Sequence, residues 1–287
     1  MSSYTYEVGD PQVDITGCTA TDDVDGDIPC TFTGYVDMST AGNYIVTYYA
    51  IDSASNETYL HVTYHIVDPS NPSGDPDIIA YYSTATGLTG NTLLLELRSI
   101  INTGMVKISY GDSRYILNIS DVDPLNANNV MLVYSGLSVS GDWSDGTFTR
   151  EHVWPQSLLG TDVQNTTKNV GTDLHNLKPE NQSWNSSRSN KYFDIATTTD
   201  SYLPRADVRG DVARILFYMV VMYDYLQLIN GTPALYQMAM LDVLIQWHEQ
   251  DPVDDFERNR NNVIYSYQKN RNPFIDYPDF VDEIWGS

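Results

Sequence analysis

The sequence predicts two domains of different class, an all-β sandwich at the N-terminus followed by a mainly helical α+β domain. Three observations carry this. Residues 1–97 hold 14 acidic side chains and no Lys or Arg, whereas 98–287 hold 24 acidic and all 15 basic ones. Runs of β-branched and aromatic residues fill the first 68 positions, and apolar residues at 3–4 spacing dominate later. Between them Pro69, Pro72 and Pro76, mixed with Ser and Gly, remove backbone donors and discourage helix and sheet alike. The expected boundaries are a sandwich at 1–68, a linker at 69–77 and the second domain at 78–287.

Within the first domain, 44–50 and 59–67 alternate as strands, with turns at 41–43 and 53–56. Cys18 and Cys30, the only cysteines, are read as a local disulfide closing about a dozen residues and worth roughly 2–3 kcal/mol. Two reduced strand cysteines are the alternative. His61 and His65 share a strand face and are read as exposed rather than as a metal pair. Asp22, Asp23, Asp25 and Asp27 form an acidic turn, with a calcium site as the second reading. In the second domain Leu93, Leu94, Leu97, Ile100 and Ile101 mark a helix and 130–134 a strand. Amphipathic helices are expected across 212–226 and 235–248.

Composition excludes several classes of protein. With 41% apolar residues over 287 positions the chain buries a core, so it is neither disordered nor fibrous. No apolar run reaches the roughly 18 to 20 residues of a membrane span, and Met-Ser-Ser-Tyr has no export-signal character, so any such signal is expected to be absent from this sequence. A net charge of −23 argues against binding nucleic acid by the field of the whole surface.

The chemistry concentrates in Arg150-Glu151-His152-Val153-Trp154-Pro155, then Asp173-Leu174-His175-Asn176-Leu177-Lys178-Pro179, then Asn185-Ser186-Ser187-Arg188-Ser189-Asn190. Metal-assisted phosphodiester hydrolysis needs a base for water, hard oxygen ligands for a cation, and positive charge for phosphate. His152 is the base, being neutral near pH 7. Glu151 and Asn185 offer the oxygens that Mg²⁺ prefers, with Mn²⁺ or Ca²⁺ as alternatives. Trp154 and Pro155 are read as packing, and His175 as structural. Arg258 and Arg260 are read as surface ion pairs. No His-Glu-x-x-His or paired CxxC suggests a zinc enzyme.

Two resemblances follow from these segments. Asp22–Ile28, Ser39–Tyr48 and Ala50–Asn56 resemble bacterial immunoglobulin-like surface modules. Glu151–Pro155, Asp173–Pro179, Asn185–Asn190, Arg209–Arg214 and Asn270–Pro278 together resemble the endonuclease I family of His-Me finger (ββα-metal) nucleases. That resemblance implies a β-hairpin plus one helix holding the site, weakly specific cleavage of DNA and also RNA, and 5′-phosphate products. By position it implies His152 as general base, Glu151 and Asn185 as metal ligands, Asn176 as the brace of the base loop, and Arg188 or Arg271 as phosphate contact. The sequence departs from some members in having only Lys168 as a cation across 156–171. A secreted or cell-surface bacterial monomer is expected, with an N-terminal module that contacts an extracellular partner and contributes nothing to hydrolysis. The alternative is an inactive adhesion protein with a degenerate nuclease fold.

Overall fold

The structure, a computed structural model, describes residues 2–40, 42–67 and 75–286. The chain divides into two compact units, Met1–Ser83 and Thr84–Ser287. The expected linker at 69–77 lies mostly outside the described residues; Pro76 opens the first helix.

In the first unit the strands are β1 (Ser2–Glu7), β2 (Ala20–Asp22), β3 (Gly26–Ile28), β4 (Cys30–Thr33), β5 (Gly42–Ile51) and β6 (Glu57–Val67), and a short helix α1 (Pro76–Tyr81) follows. Their order is β1-β6-β5-β4, with β2 and β3 in a hairpin of their own. β1 lies parallel to β6, whereas the other pairs are antiparallel. Among the described residues the cover of this sheet is irregular chain rather than a second sheet. Val13, Ile15, Val36 and Met38 pack onto Val46, Val62, Tyr64 and Ile66. These covering segments carry Gly9, Pro11, Gly17 and Gly34, which interrupt strand alternation. Cys18, from the cover, is disulfide-bonded to Cys30 at the start of β4, with the Cα atoms 5.7 Å apart. His61 is exposed and its Nδ1 meets Thr47 Oγ1 at 2.9 Å. Of the acidic turn, Asp22 and Asp25 converge with Asp52, not with Asp23 or Asp27. Asp25 accepts from Ser53 N at 2.7 Å and Asp22 from Val24 N at 2.8 Å, so these carboxylates hold turns together.

The second unit is α+β, with mixed helices and several small sheets. It begins with α2 (Gly90–Asn102), α3 (Tyr110–Ser120), and a three-stranded sheet of β7 (Val122–Asp123), β8 (Asn126–Met131) and β9 (Ser138–Ser140). Next come β10 (Thr149–His152), α4 (Gln156–Leu159), β11 (Leu177–Glu180), α5 (Gln182–Arg188), β12 (Tyr192–Phe193) and β13 (Ser201–Tyr202). The chain closes with α6 (Arg209–Met222), β14 (Gln227–Ile229), β15 (Gln237–Ala239), α7 (Leu241–Gln250), α8 (Asp255–Gln268), α9 (Pro273–Asp276) and α10 (Phe280–Trp285).

α6 is the centre of this unit. It was expected to be amphipathic, yet from Gly210 to Met219 every residue is buried. A helix apolar on all sides belongs in the middle of a bundle, and α2, α7 and α9 pack around it. The second expected helix, 235–248, starts six residues later than its pattern suggests. Residues 237–239 pair instead with 227–229 as parallel strands, leaving Leu235 exposed. The strand expected at 130–134 ends at Met131.

Buried charge ties the helices to the hairpin. Asp121, just past α3, receives Lys178 of β11 at 2.7 Å and Arg260 of α8 at 3.1 Å, with all three side chains 3% exposed or less. Arg260 also donates to the carbonyls of Leu174 and Leu177. It is therefore a core residue, which corrects the surface reading. Its neighbour Arg258 does pair at the surface, with Asp255 at 2.9 Å. Asp121→Ala strands two buried cations and is expected to cost about 3–5 kcal/mol, against less than about 0.5 for Arg258→Ala. All five tryptophans lie in the second unit, so their fluorescence through a urea titration reports it selectively.

Candidate active site

Two strands and a helix, contiguous in sequence, assemble the site. β10 and β11 are antiparallel, with Glu151 opposite Lys178 and His152 opposite Leu177. The 153–176 segment loops between them, and α5 begins two residues after β11 and packs on β10.

Glu151 is 2% exposed. Its Oε1 accepts from Tyr134 OH and from Arg188 Nη1, both at 2.9 Å. Both side-chain hydrogen bonds fall on this one oxygen, and the backbone N–H of His152 also favours the charged carboxylate. Burial pushes the carboxyl up to about 7, against the pull of Arg188 and Tyr134.

His152 points Nε2 at the carbonyl of Gly171, 2.8 Å away. A carbonyl only accepts, so Nε2 carries the proton and Nδ1 the lone pair. Burial holds the imidazolium down to about 4, and nearby Arg150 and Arg188 act the same way, so the ring is neutral at pH 7. Tyr110 stacks on it with centroids 5.6 Å apart. The position of Gly171 is set locally. Asn169 and Thr172 form a reciprocal capping box around it, with Asn169 Oδ1 accepting from Gly171 N at 2.9 Å. A Cβ on Gly171 would lie 2.7 Å from Val163 Cγ1, so the turn needs the missing side chain.

Asn176 closes the far end of the loop. Its Oδ1 accepts from Trp154 N at 2.7 Å and its Nδ2 donates to Trp154 O at 3.1 Å, while its own carbonyl takes Val153 N. Trp154 is fully buried beneath. Asn185, on α5, donates Nδ2 to Arg150 O at 3.3 Å, so the rest of its amide is an oxygen donor. His175 is fully buried against Tyr218, with ring centroids 4.3 Å apart.

The two arginines expected to contact phosphate are placed otherwise. Arg188 is fully buried, and besides Glu151 it donates to His152 O at 2.8 Å and Val153 O at 2.5 Å. It locks α5 to the end of β10. Arg271 is 7% exposed and forks onto Asp276, with 2.7 Å on each oxygen, and reaches Asn262. Tyr134, which lies in an apolar run, is not recognisable from sequence as a partner of Glu151. Nor is Asp173 singled out there; it is fully buried and gathers Tyr218, Tyr223 and Gln268 behind the loop.

The family model described as Endonuclease I matches residues 89–203 and 197–279, which is more than half of the chain. The chain belongs to the endonuclease I family. It is therefore a nuclease, a hydrolase, and the adhesion alternative is set aside. An extracellular ribonuclease of Bacillus subtilis (strain 168) is 41% identical over 240 residues, covering 76% of this chain and 81% of its own. One from Bacillus amyloliquefaciens is 39% identical over 259 residues, covering 82% and 87%. Among solved structures, a lipoprotein from Bacteroides thetaiotaomicron aligns with 24% of this chain and 34% of its own at 26% identity and a TM-score of 0.21, too little to bear on either unit. The hairpin, its loop and α5 all lie inside the endonuclease I match.

Arg188→Met removes the one guanidinium that opposes protonation of Glu151. The Glu151 carboxyl is expected to titrate above its value of about 7, and the unit to lose about 3–5 kcal/mol. Carboxyl carbon shifts of ¹³C-Glu protein followed against pH, with Glu151→Gln for assignment, measure the first; urea denaturation measures the second.

Proposed function

We propose that this nuclease is a secreted endonuclease that depends on a divalent cation and cuts nucleic acid with little sequence specificity, on a His-Me finger. One observation carries the reading: a neutral imidazole whose lone pair is on Nδ1 stands next in sequence to a buried carboxylate whose two side-chain hydrogen bonds share one oxygen. Nδ1 of His152 takes the proton of the attacking water, and the Gly171 carbonyl keeps the ring in the tautomer that can do so. Asn176 holds the loop entrance and thereby the ring's backbone. Glu151 Oε2 and Asn185 Oδ1 are the oxygen pair for the cation, a hard donor set that fits Mg²⁺ and admits Mn²⁺ or Ca²⁺. Bound there, the cation would offset the charge that develops on the phosphate and on the departing 3′ oxygen. The products then carry 5′-phosphates.

Water, not a 2′-hydroxyl, is the nucleophile, so DNA and RNA are both substrates by this chemistry. The names of the Bacillus relatives support RNA and support secretion. The disulfide of the first unit is consistent with an oxidising compartment. Arg188 acts as a positioning residue in this reading, not as a phosphate contact. The first 68 residues are proposed to be an immunoglobulin-like module that binds an extracellular partner, and 78–287 the catalytic domain.

His152→Ala is expected to lower kcat by about 10²–10⁴-fold with cation affinity nearly unchanged, whereas Glu151→Ala weakens the cation. Hydrolysis of labelled RNA and of plasmid DNA, with and without EDTA, measures the first, and calorimetric titration with Mg²⁺ the second. Normal turnover by His152→Ala overturns the assignment. The pH dependence has a fixed sign. Glu151 holds its proton below about pH 7, and a cation must expel it, so Mg²⁺ affinity falls by up to about tenfold per pH unit on the acid side. Proton release measured in buffers of different ionisation enthalpy checks this.

A further inference from the structure

From His152 a file of stacked side chains runs outward across the surface of the second unit. Tyr110 stacks on His152 at 5.6 Å. The Arg150 guanidinium lies over Tyr110 at 3.5 Å and over Trp143 at 4.9 Å. On the other side Arg114 lies 5.8 Å from the same Trp143 ring and 4.7 Å from Tyr115. The order is therefore ring, cation, ring, cation, ring. It spans three separate elements, since Tyr110, Arg114 and Tyr115 are on α3, Arg150 is on β10 and Trp143 is in the turn between β9 and β10.

Arg150 donates Nη1 to the carbonyl of Tyr110, which holds its guanidinium on that ring. Among the described residues neither Arg114 nor Arg150 is within ion-pair distance of a carboxylate, in a chain with 38 acidic side chains. The Nε atoms of both are buried without a hydrogen-bond partner. Lys178, Arg188, Arg214, Arg260 and Arg271, by contrast, are all committed to carboxylates. The file also ends at a cavity. It is a half-open pocket of about 460 Å³ lined by Arg114, Tyr115, Trp143, Asn118, Asn128 and Asp142 with their neighbours. That volume is within the range of small-molecule sites, about 300–1,000 Å³. The side-chain amides of Asn118 and Asn128 have no hydrogen bond with the described residues, and Gly141 lets the Asn118 amide close on the backbone, since a Cβ there would lie 2.1 Å from Oδ1.

We infer that this file is the binding track for single-stranded nucleic acid and that its terminal cavity takes an unpaired base of the strand being cut. The inference rests on the nuclease reading above and names the strandedness of its substrate. Interleaved rings and guanidiniums suit unpaired strands, because a base turned out of a helix exposes both faces for stacking while Arg reaches the phosphates. In a duplex those faces are already occupied. The carboxylate of Asp142 at the cavity repels phosphate, so the base and not the backbone enters, and the two amides meet its edge.

The test uses the full chain in EDTA, where binding is read without turnover. Fluorescence anisotropy is measured with a labelled oligoribonucleotide, alone and annealed to its complement. The single strand is expected to bind about tenfold or more tightly than the duplex. Tyr115 is 57% exposed, so its substitution leaves the core intact. Tyr115→Ala and Arg114→Gln are expected to weaken single-strand binding by about 5- to 100-fold with duplex binding unchanged, and Tyr115→Phe to restore it. With Mg²⁺ present the same variants should raise KM for single strands and leave kcat within about twofold. Equal affinity for the two forms, or wild-type binding by Tyr115→Ala, overturns the inference while leaving hydrolysis by His152 standing. Absence of hydrolysis in the wild type, with strand preference intact, instead removes the proposed mechanism and keeps the track.

Discussion

Arg188, thirty-five to thirty-seven positions along the chain, binds three groups of one tripeptide: the carboxylate of Glu151, the carbonyl of His152 and the carbonyl of Val153. All are buried, so none of these hydrogen bonds has water as a substitute. Removing the guanidinium would leave one charge and two carbonyls unsatisfied in a low-dielectric interior. The pair therefore fixes where α5 sits on β10, and with it the approach of Asn185 to the strand. Arg188 also shares Oε1 of Glu151 with Tyr134. The geometry of the catalytic hairpin follows from this one clamp, with Arg260 doing the same from behind by holding Leu174 and Leu177.

A nuclease with 23 net negative charges has to present positive charge where the phosphates lie and nowhere else. At physiological ionic strength the Debye length is about 8 Å, so the carboxylates of the second unit that lie farther than this from the site are largely screened. Arg188, Arg214, Arg260 and Arg271 are spent inside, each bonded to a buried carboxylate. What remains at the surface near His152 is set among rings, where the cation keeps part of its charge available and gains stacking area. Such a surface binds by local contact rather than by long-range attraction.

The site was legible in sequence to the extent that its chemistry is local. Glu151, His152 and Asn176 belong to short segments whose residue types state their task, and the structure brings Glu151 and His152 to the end of one strand, with Asn176 closing the loop that follows. What was not legible is long-range. Arg188 and Arg271 look like phosphate ligands because an arginine beside catalytic residues usually faces solvent, and only the fold shows their carboxylate partners. α6 reads as amphipathic because several of its interior positions are polar: Asp211 and Arg214 are buried, and Arg214 is bonded to Glu257. Residues 235–239 follow helical spacing by chance, but strand pairing with 227–229 prevails over that local preference. In the first unit the strands were readable from their alternation, whereas the irregular cover has no period to read.

The loop that presents His152 draws its support from far along the chain. Leu174 N donates to Gln268, His175 contacts the carbonyl of Asn270, and Arg260 holds the loop's last carbonyls. Residues 255–272 are thus part of what makes the imidazole competent, although they emerge from the ribosome more than a hundred residues after it. A chain that ends before residue 255 carries Glu151, His152 and Asn176 without the contacts that hold their loop from behind. Those contacts join the hairpin only when the last helices close over it.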